Sequence, residues 1–205
     1  MLNLHYAKGT IAAASALALN EVGASYSAVA VDFGSGEQRG AAYLALNPKG
    51  RVPALVTDHG IITETIAILE FIAATHPHAN LVPNDPYEAA QMRSVMACIA
   101  STMHVNHAHT LRAARWADTQ AAWEDMRAKV PHTMTECCAY LEVNVALGPF
   151  VMGDRLTLPD PYLYVLTTWL AGDGVNIADF PKLAAFQRQM QDRPSALQAR
   201  EDGIL

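Results

Sequence analysis

Two short stretches of this chain carry residue types that together make a small-molecule site. Asn47-Pro48-Lys49-Gly50-Arg51-Val52-Pro53-Ala54-Leu55 runs a glycine-containing turn into a strand-like segment, and Glu64-Thr65 follows nine residues later at the head of an apolar helix. Pro53 stands where a cis X-Pro bond is favoured. Such a bond turns the Val52 backbone outward, so that an extended ligand hydrogen-bonds to its amide and carbonyl as an added strand does. The Glu64 carboxylate suits an ammonium group, and the Thr65 hydroxyl with the first helix amides suits a carboxylate. The implied ligand therefore carries both charges. Lys49 and Arg51 also read as solvated surface, with Arg51 the better placed to reach the ligand. Glu64 has a plainer reading as well, as an acid complementing the helix dipole.

The elements that must position these residues alternate in period over the first 75 or so positions. Leu2 to Tyr6 reads as a strand, Ile11 to Glu21 as a small-residue helix stopped by Gly23, and Tyr26 to Val31 as a second strand. Asp32 to Gly40 is a polar loop, Ala41 to Leu46 a short helix, and Ala54–Thr57 with Ile61–Thr63 a hairpin about Asp58-His59-Gly60. A helix from Glu64 to Thr75 closes the unit, with Thr63 expected as its N-cap. The order is βαβαββα over residues 1–76.

Residues 77–86 contain three prolines counting outward from His76, a composition break that reads as a linker. Residues 87–205 then read as all-helical. Tyr87 to about Arg115 and Ala117 to about Ala146 are long runs with apolar residues at three-to-four spacing. Pro131 should kink or break the second near Val130. Thr157 and Asp160 form a capping-box-like pair opening a helix from Pro159 to Ala171, and a last helix spans Pro181 to Asp192.

The chain has 205 residues, ample apolar content for a core and a net charge of −6, so it has no basic footprint for nucleic acid or an anionic membrane. No stretch reads as a signal peptide or membrane span. Cys98, Cys137 and Cys138 make a poor disulfide framework and fit a reducing compartment, with the cytoplasm as the default location. The adjacent Cys137 and Cys138 read as core fillers. His104, His107 and His109 invite a metal reading by spacing, but no Cys or Glu accompanies them, and solitary helix histidines are the plainer account. Met92, Met96, Cys98 and Met103 read first as core, with some available to line an apolar pocket.

The motif set resembles the cytosolic glutathione S-transferases, most closely the bacterial beta-type members. Besides the two segments above, Leu81-Val82-Pro83-Asn84-Asp85-Pro86 and Gly153-Asp154-Arg155-Leu156-Thr157-Leu158-Pro159-Asp160 fall in matching order, so the resemblance spans nearly the whole chain. It implies a thioredoxin-like N-terminal domain, a C-terminal helical bundle with a hydrophobic electrophile pocket, a homodimer, and glutathione as co-substrate without a metal. Glutathione would lie on Arg51, Val52, Pro53, Glu64 and Thr65. The reaction implied is thiolate addition to a small apolar electrophile, as in detoxification. A non-catalytic glutathione-binding or dimerisation module on the same fold, and a glutathione-dependent isomerase or lyase, are the alternatives.

A free thiol with a pKa of about 8.5 is mostly protonated at neutral pH, so such an enzyme must lower it. Beta-type relatives place a cysteine and then a serine after the first strand, where this chain has Ile11 and Ala12. Three donors then compete on the resemblance: Thr10 at the mouth of the first helix, which also reads as its N-cap; Tyr6, which also reads as strand-end packing; and His104 on the first long helix. The relatives' helix-four asparagine aligns with Ala97 and their basic loop residue with the stretch Gly34 to Glu37, so the glycyl end of the ligand is poorly clamped.

Overall fold

A computed structural model describes all 205 residues. Contacts divide the chain into two units, Met1–Val82 with Met190–Leu205, and Pro83–Gln189. The sequence reading ran the helical part through to residue 205. The structure instead returns the last sixteen or so positions to the first unit, because the final helix packs on its first one.

The first unit holds β1 (Leu2–Tyr6), α1 (Ala12–Glu21), β2 (Tyr26–Ala30), α2 (Ala41–Leu46), β3 (Ala54–Thr57), β4 (Gly60–Thr63), α3 (Thr65–Thr75) and, from the chain's end, α9 (Pro194–Glu201). The strand order is β2-β1-β3-β4. β1 and β2 run parallel with α1 as the crossover that such a pair requires, while β3 lies antiparallel to both β1 and β4. Gly23 ends α1 at φ +67, the left-handed position foreseen for it.

Small side chains explain α1. Ala12, Ala13, Ala14, Ser15, Ala16, Leu17, Ala18 and Leu19 are all buried, a helix apolar on every side that neighbours approach closely. It packs against β1, α3 and α9. α9, which the sequence reading missed beyond Pro194, is locked there by charge. Arg193 makes a two-pronged pair with Glu21, at 2.6 and 2.7 Å, Ser195 donates to the same carboxylate, and Asn20 Nδ2 donates to the Ser195 carbonyl at 3.1 Å. Burial pushes the Glu21 carboxyl up, but the hydrogen bonds from Arg193 and Ser195 and the guanidinium charge outweigh it and hold it below its ordinary value. α3 buries Thr65, Ile68, Leu69, Ile72 and Ala73, the spacing of one helix face.

The second unit holds α4 (Pro86–Cys98), α5 (His104–Arg112), α6 (Gln120–Asn144), α7 (Pro159–Trp169) and most of α8 (Pro181–Gln191). The first long run is interrupted by a π-helical stretch, Ile99–Met103, between α4 and α5. α6 is continuous through Pro131, contrary to the break expected near Val130. The proline ring is accommodated against Gly174, where a side chain would meet its Cγ at 3.1 Å. α7 is buried almost throughout, and Asp160 in its first turn is fully buried. Its carboxylate accepts from the Val151 amide at 2.7 Å and from the amide and hydroxyl of Thr157 at 2.6 and 2.9 Å. Met92, Met96 and Met103 are core, at most 2% exposed, as the sequence led us to expect. Cys138 is buried too, and burial pushes its thiol up to about 12. No helix is long and apolar enough to cross a membrane.

Candidate functional site

The turn before β3 is built from α2 outward. Tyr43 and Asn47, four apart on one face, are 3% and 1% exposed. Both donate to the same acceptor, the Arg51 carbonyl, each at 2.7 Å. The Asn47 Oδ1 accepts from the Lys49 amide at 3.2 Å, and the Gly50 amide donates to the Asn47 carbonyl at 2.9 Å. Burial, the largest influence on the Tyr43 phenol, pushes it up to about 12, so it stays protonated and donates. Gly50 sits at φ +59, and a Cβ there would lie 2.9 Å from the Gln38 carbonyl oxygen. Only glycine fits both demands. The Val52–Pro53 peptide is cis, as the sequence led us to expect; a second, Gly148–Pro149, was not foreseen.

Strand pairing then brings the two halves of the site together. Ala54 lies opposite Thr63, so one step further Val52-Pro53 comes beside Glu64. Pro53 is buried, Val52 half-buried and Arg51 exposed. Glu64 is not in the first turn of α3 but at its N-cap, with φ 75 and ψ 125, and its carbonyl accepts from the Ile68 amide at 3.0 Å. Thr63, expected at that cap, lies in β4 and accepts instead from Lys49 Nζ at 2.7 Å. That ammonium also pairs with the Glu64 carboxylate at 2.7 Å. Both partners are exposed, so solvent weakens the pair and a competing ammonium displaces Lys49 at small cost. Thr65, the first residue of α3, is 7% exposed.

The expected sulfur donors are placed differently. Thr10 does not cap α1; Ile11 holds that position without a side-chain bond. The Thr10 hydroxyl donates back to the Ala7 carbonyl at 2.6 Å, which engages its one proton. Tyr6 shares its sheet face with Leu4 and, through the Leu2–Tyr26 pairing, with Tyr26, whose hydroxyl donates to Asn20 of α1 at 3.1 Å. His104 belongs to the helical unit, where its Nδ1 lies 3.0 Å from the Tyr162 hydroxyl. Of the three histidines that spacing groups, His107 meets Asp173 and His109 meets Trp116 edge-on, while the rings of His104 and His107 both contact Trp169.

Sequence reasoning missed the roles of Tyr43 and Asn47. Their four-residue spacing just before a proline-glycine turn was the available signal. It also missed Asp173, which no local motif marks.

A four-stranded mixed sheet of order β2-β1-β3-β4 with a cis proline opening its third strand, followed by a helical unit, defines a thioredoxin-like class of two-unit proteins. The family model described as glutathione S-transferase, N-terminal domain, matches residues 4–74. The chain is 28% identical over 201 residues to the glutathione S-transferase GstA of Escherichia coli O157:H7, covering 97% of this chain and 96% of that one. It is 34% identical over 152 residues to a maleylacetoacetate isomerase of Pseudomonas aeruginosa, covering 72% and 70%. Among solved structures, a glutathione transferase homologue from Sulfitobacter with bound glutathione matches at a TM-score of 0.98 and 49% identity, covering 100% and 99%. The chain belongs to the glutathione S-transferase family and has its fold.

Proposed function

We propose that this protein is a glutathione-dependent enzyme that adds the glutathione thiolate to small apolar electrophiles. Glutathione lies along the Val52 backbone, with its γ-glutamyl ammonium on Glu64 in place of Lys49 and its γ-glutamyl carboxylate on Thr65 and the head of α3. Arg51 reaches toward the peptide. Thr10 and Tyr6 are the side chains proposed for the sulfur end, together with the N-terminus of α1, and His104 is the catalytic candidate of the helical unit. For Thr10 this requires its hydroxyl to leave the Ala7 carbonyl.

The observation that carries the reading is Glu64. A non-glycine residue held at φ 75 costs about 1–3 kcal/mol and persists only where the surroundings over-determine it, a pattern typical of ligand clamps. Here it stands beside the tethered Val52-Pro53 edge. The identity to a maleylacetoacetate isomerase supports a second reading, a glutathione-dependent isomerisation at the same site. We further propose a cytoplasmic homodimer with a detoxifying role, the first unit (Met1–Val82 with Met190–Leu205) binding glutathione and the helical one (Pro83–Gln189) the electrophile.

Calorimetric titration with glutathione tests the site. Glu64→Ala weakens binding about tenfold or more, as loss of a ligand ion pair predicts. Unchanged affinity in that variant would show that the ligand lies elsewhere.

A further inference from the structure

One ionisable side chain lies beneath the helix that holds the Val52 turn. His5, half-buried in β1, pairs with Val29 of β2 and with Ala54 of β3, so both cross-strand neighbours on its face of the sheet are apolar. Ala54 directly follows Pro53. The His5 ring meets Tyr43 of α2 edge-on, with centroids 6.0 Å apart at 64°. Tyr43 donates to the Arg51 carbonyl at 2.7 Å, and Asn47, at the end of the same helix, donates to that carbonyl too. α2 is six residues long and has no side-chain cap at its head. Whatever unseats Tyr43 from the imidazole therefore lifts both donors from the turn together.

A neutral imidazole suits this position and a charged one does not. Burial, the largest influence, pushes the His5 ring below its ordinary value of 6.5, against the raising effect of the Glu37 carboxylate. Glu37 is a weak counter-charge, because it is exposed and its Oε2 already accepts from the Asp32 amide at 2.7 Å. The other titratable group facing the ring is the Tyr43 phenol, which keeps its proton at neutral pH, and β2 and β3 place no charge opposite it. A proton on His5 thus gains no close carboxylate, and the charged ring is hydrated only when α2 moves away. The neutral ring's support is present in full above about 6.5 and declines as pH falls from there toward the folded value. Apolar packing alone is met by any aromatic side chain, so the imidazole adds one property, a charge that appears in mild acid.

We propose that His5 is a positioning residue of the glutathione site: its neutral ring seats Tyr43, and its protonation releases α2 and the Arg51 carbonyl, loosening the edge that Val52 offers. This rests on the glutathione reading above. His5 acts through Tyr43 and touches no ligand atom. Closing the turn around a ligand expels the proton from His5 to solvent, so the site holds glutathione at neutral pH and lets it go in mild acid.

The probe is S-methylglutathione, which has no thiol to titrate and whose carboxylates and ammonium keep their charges between about pH 5.5 and 7. By calorimetry the unaltered protein's affinity for it should fall about fivefold from pH 7 to 5.5, within the limit of about tenfold per pH unit that one proton sets. His5→Phe keeps an aromatic edge for Tyr43 but takes up no proton, and its affinity should change by less than about twofold over the same range. A change below about twofold in the unaltered protein, or a decline that survives in His5→Phe, overturns the inference. Where His5→Phe does not fold, nuclear magnetic resonance of the unaltered protein decides. The Asn47 side-chain amide signals, which report its bond to the Arg51 carbonyl, should shift with the same midpoint as the His5 ring signals, and Asn47 signals that stay fixed while the ring titrates overturn the proposal. Absence of binding at pH 7 overturns the glutathione reading and this inference together, whereas binding with a pH dependence unchanged in His5→Phe overturns this inference alone.

Discussion

Asn47→Ala strikes the turn that presents Val52 without touching the ligand contacts themselves. Asn47 is fully buried and makes one short side-chain bond, to the Arg51 carbonyl at 2.7 Å, and one longer, from the Lys49 amide at 3.2 Å. At about 1 kcal/mol net for each bond, the variant loses about 2 kcal/mol of stability, and Tyr43→Phe about 1 kcal/mol. In either single variant the Arg51 carbonyl keeps one donor. In the double variant it keeps neither, so the combined loss exceeds additivity by about 0.5 kcal/mol. For a chain of this size Asn47→Ala should lower Tm by about 4–8 °C. A turn no longer held in place must be ordered by the ligand, and each 1.4 kcal/mol of that cost weakens binding about tenfold. Urea denaturation of the single and double variants measures the first quantity and glutathione calorimetry the second. Loss of stability with glutathione affinity unchanged within twofold would refute Val52 as the ligand's edge. Strict additivity would refute the shared carbonyl.

Gly50→Ala combines an unfavourable φ with a Cβ only 2.9 Å from the Gln38 carbonyl, and should cost about 2–3 kcal/mol by thermal unfolding. Gly203→Ala has a similar φ, +69, but open space around it, and should cost only about 1 kcal/mol; equal losses would mean that the contact with Gln38 relaxes freely. The Glu21–Arg193 pair makes stability depend on acid. Because the folded Glu21 carboxyl is held below its ordinary value of 4.5, the pair's contribution is present above that pH and lost as pH falls through the folded value. Arg193→Met should cost about 2 kcal/mol at pH 7 and flatten the decline of Tm below pH 4.5, since the lost hydrogen bonds are charge-assisted; an unchanged acid limb would place the sensitivity elsewhere.

The N-terminal elements were legible because each carries its own local signal. Gly23 and the Asp58-His59-Gly60 turn stop and reverse the chain by backbone chemistry, and β1, α2 and β3 fall where their periods put them. What escaped depends on partners distant in sequence. α9 lacks a strong apolar stripe and is held by a charge pair with Glu21, 172 residues away. The exchange of roles between Thr63 and Glu64 turns on a single left-handed residue, which a glutamate does not announce. Pro131 does not break α6 as its type predicts, because one proline costs a single backbone donor while the rest of a 25-residue helix remains packed around Val130, Met134, Cys138 and Leu141.

The same contrast separates the two ends of the proposed ligand. The γ-glutamyl end is met by backbone geometry and charge: a proline-led strand edge, a carboxylate at a helix head and a buried threonine beside it. Those requirements are written into short contiguous motifs, which is why the chain displays them. The sulfur end requires one polar hydrogen aimed at one atom, and that depends on rotamers rather than on residue type. Thr10 has the right type, yet its proton is spent on the Ala7 carbonyl, while Ile11 and Ala12, buried at the head of α1, offer none. The helical unit shows the same dependence on the fold, for the carboxylate and the indole that hold His107 lie 66 and 62 residues further along the chain and leave no local motif.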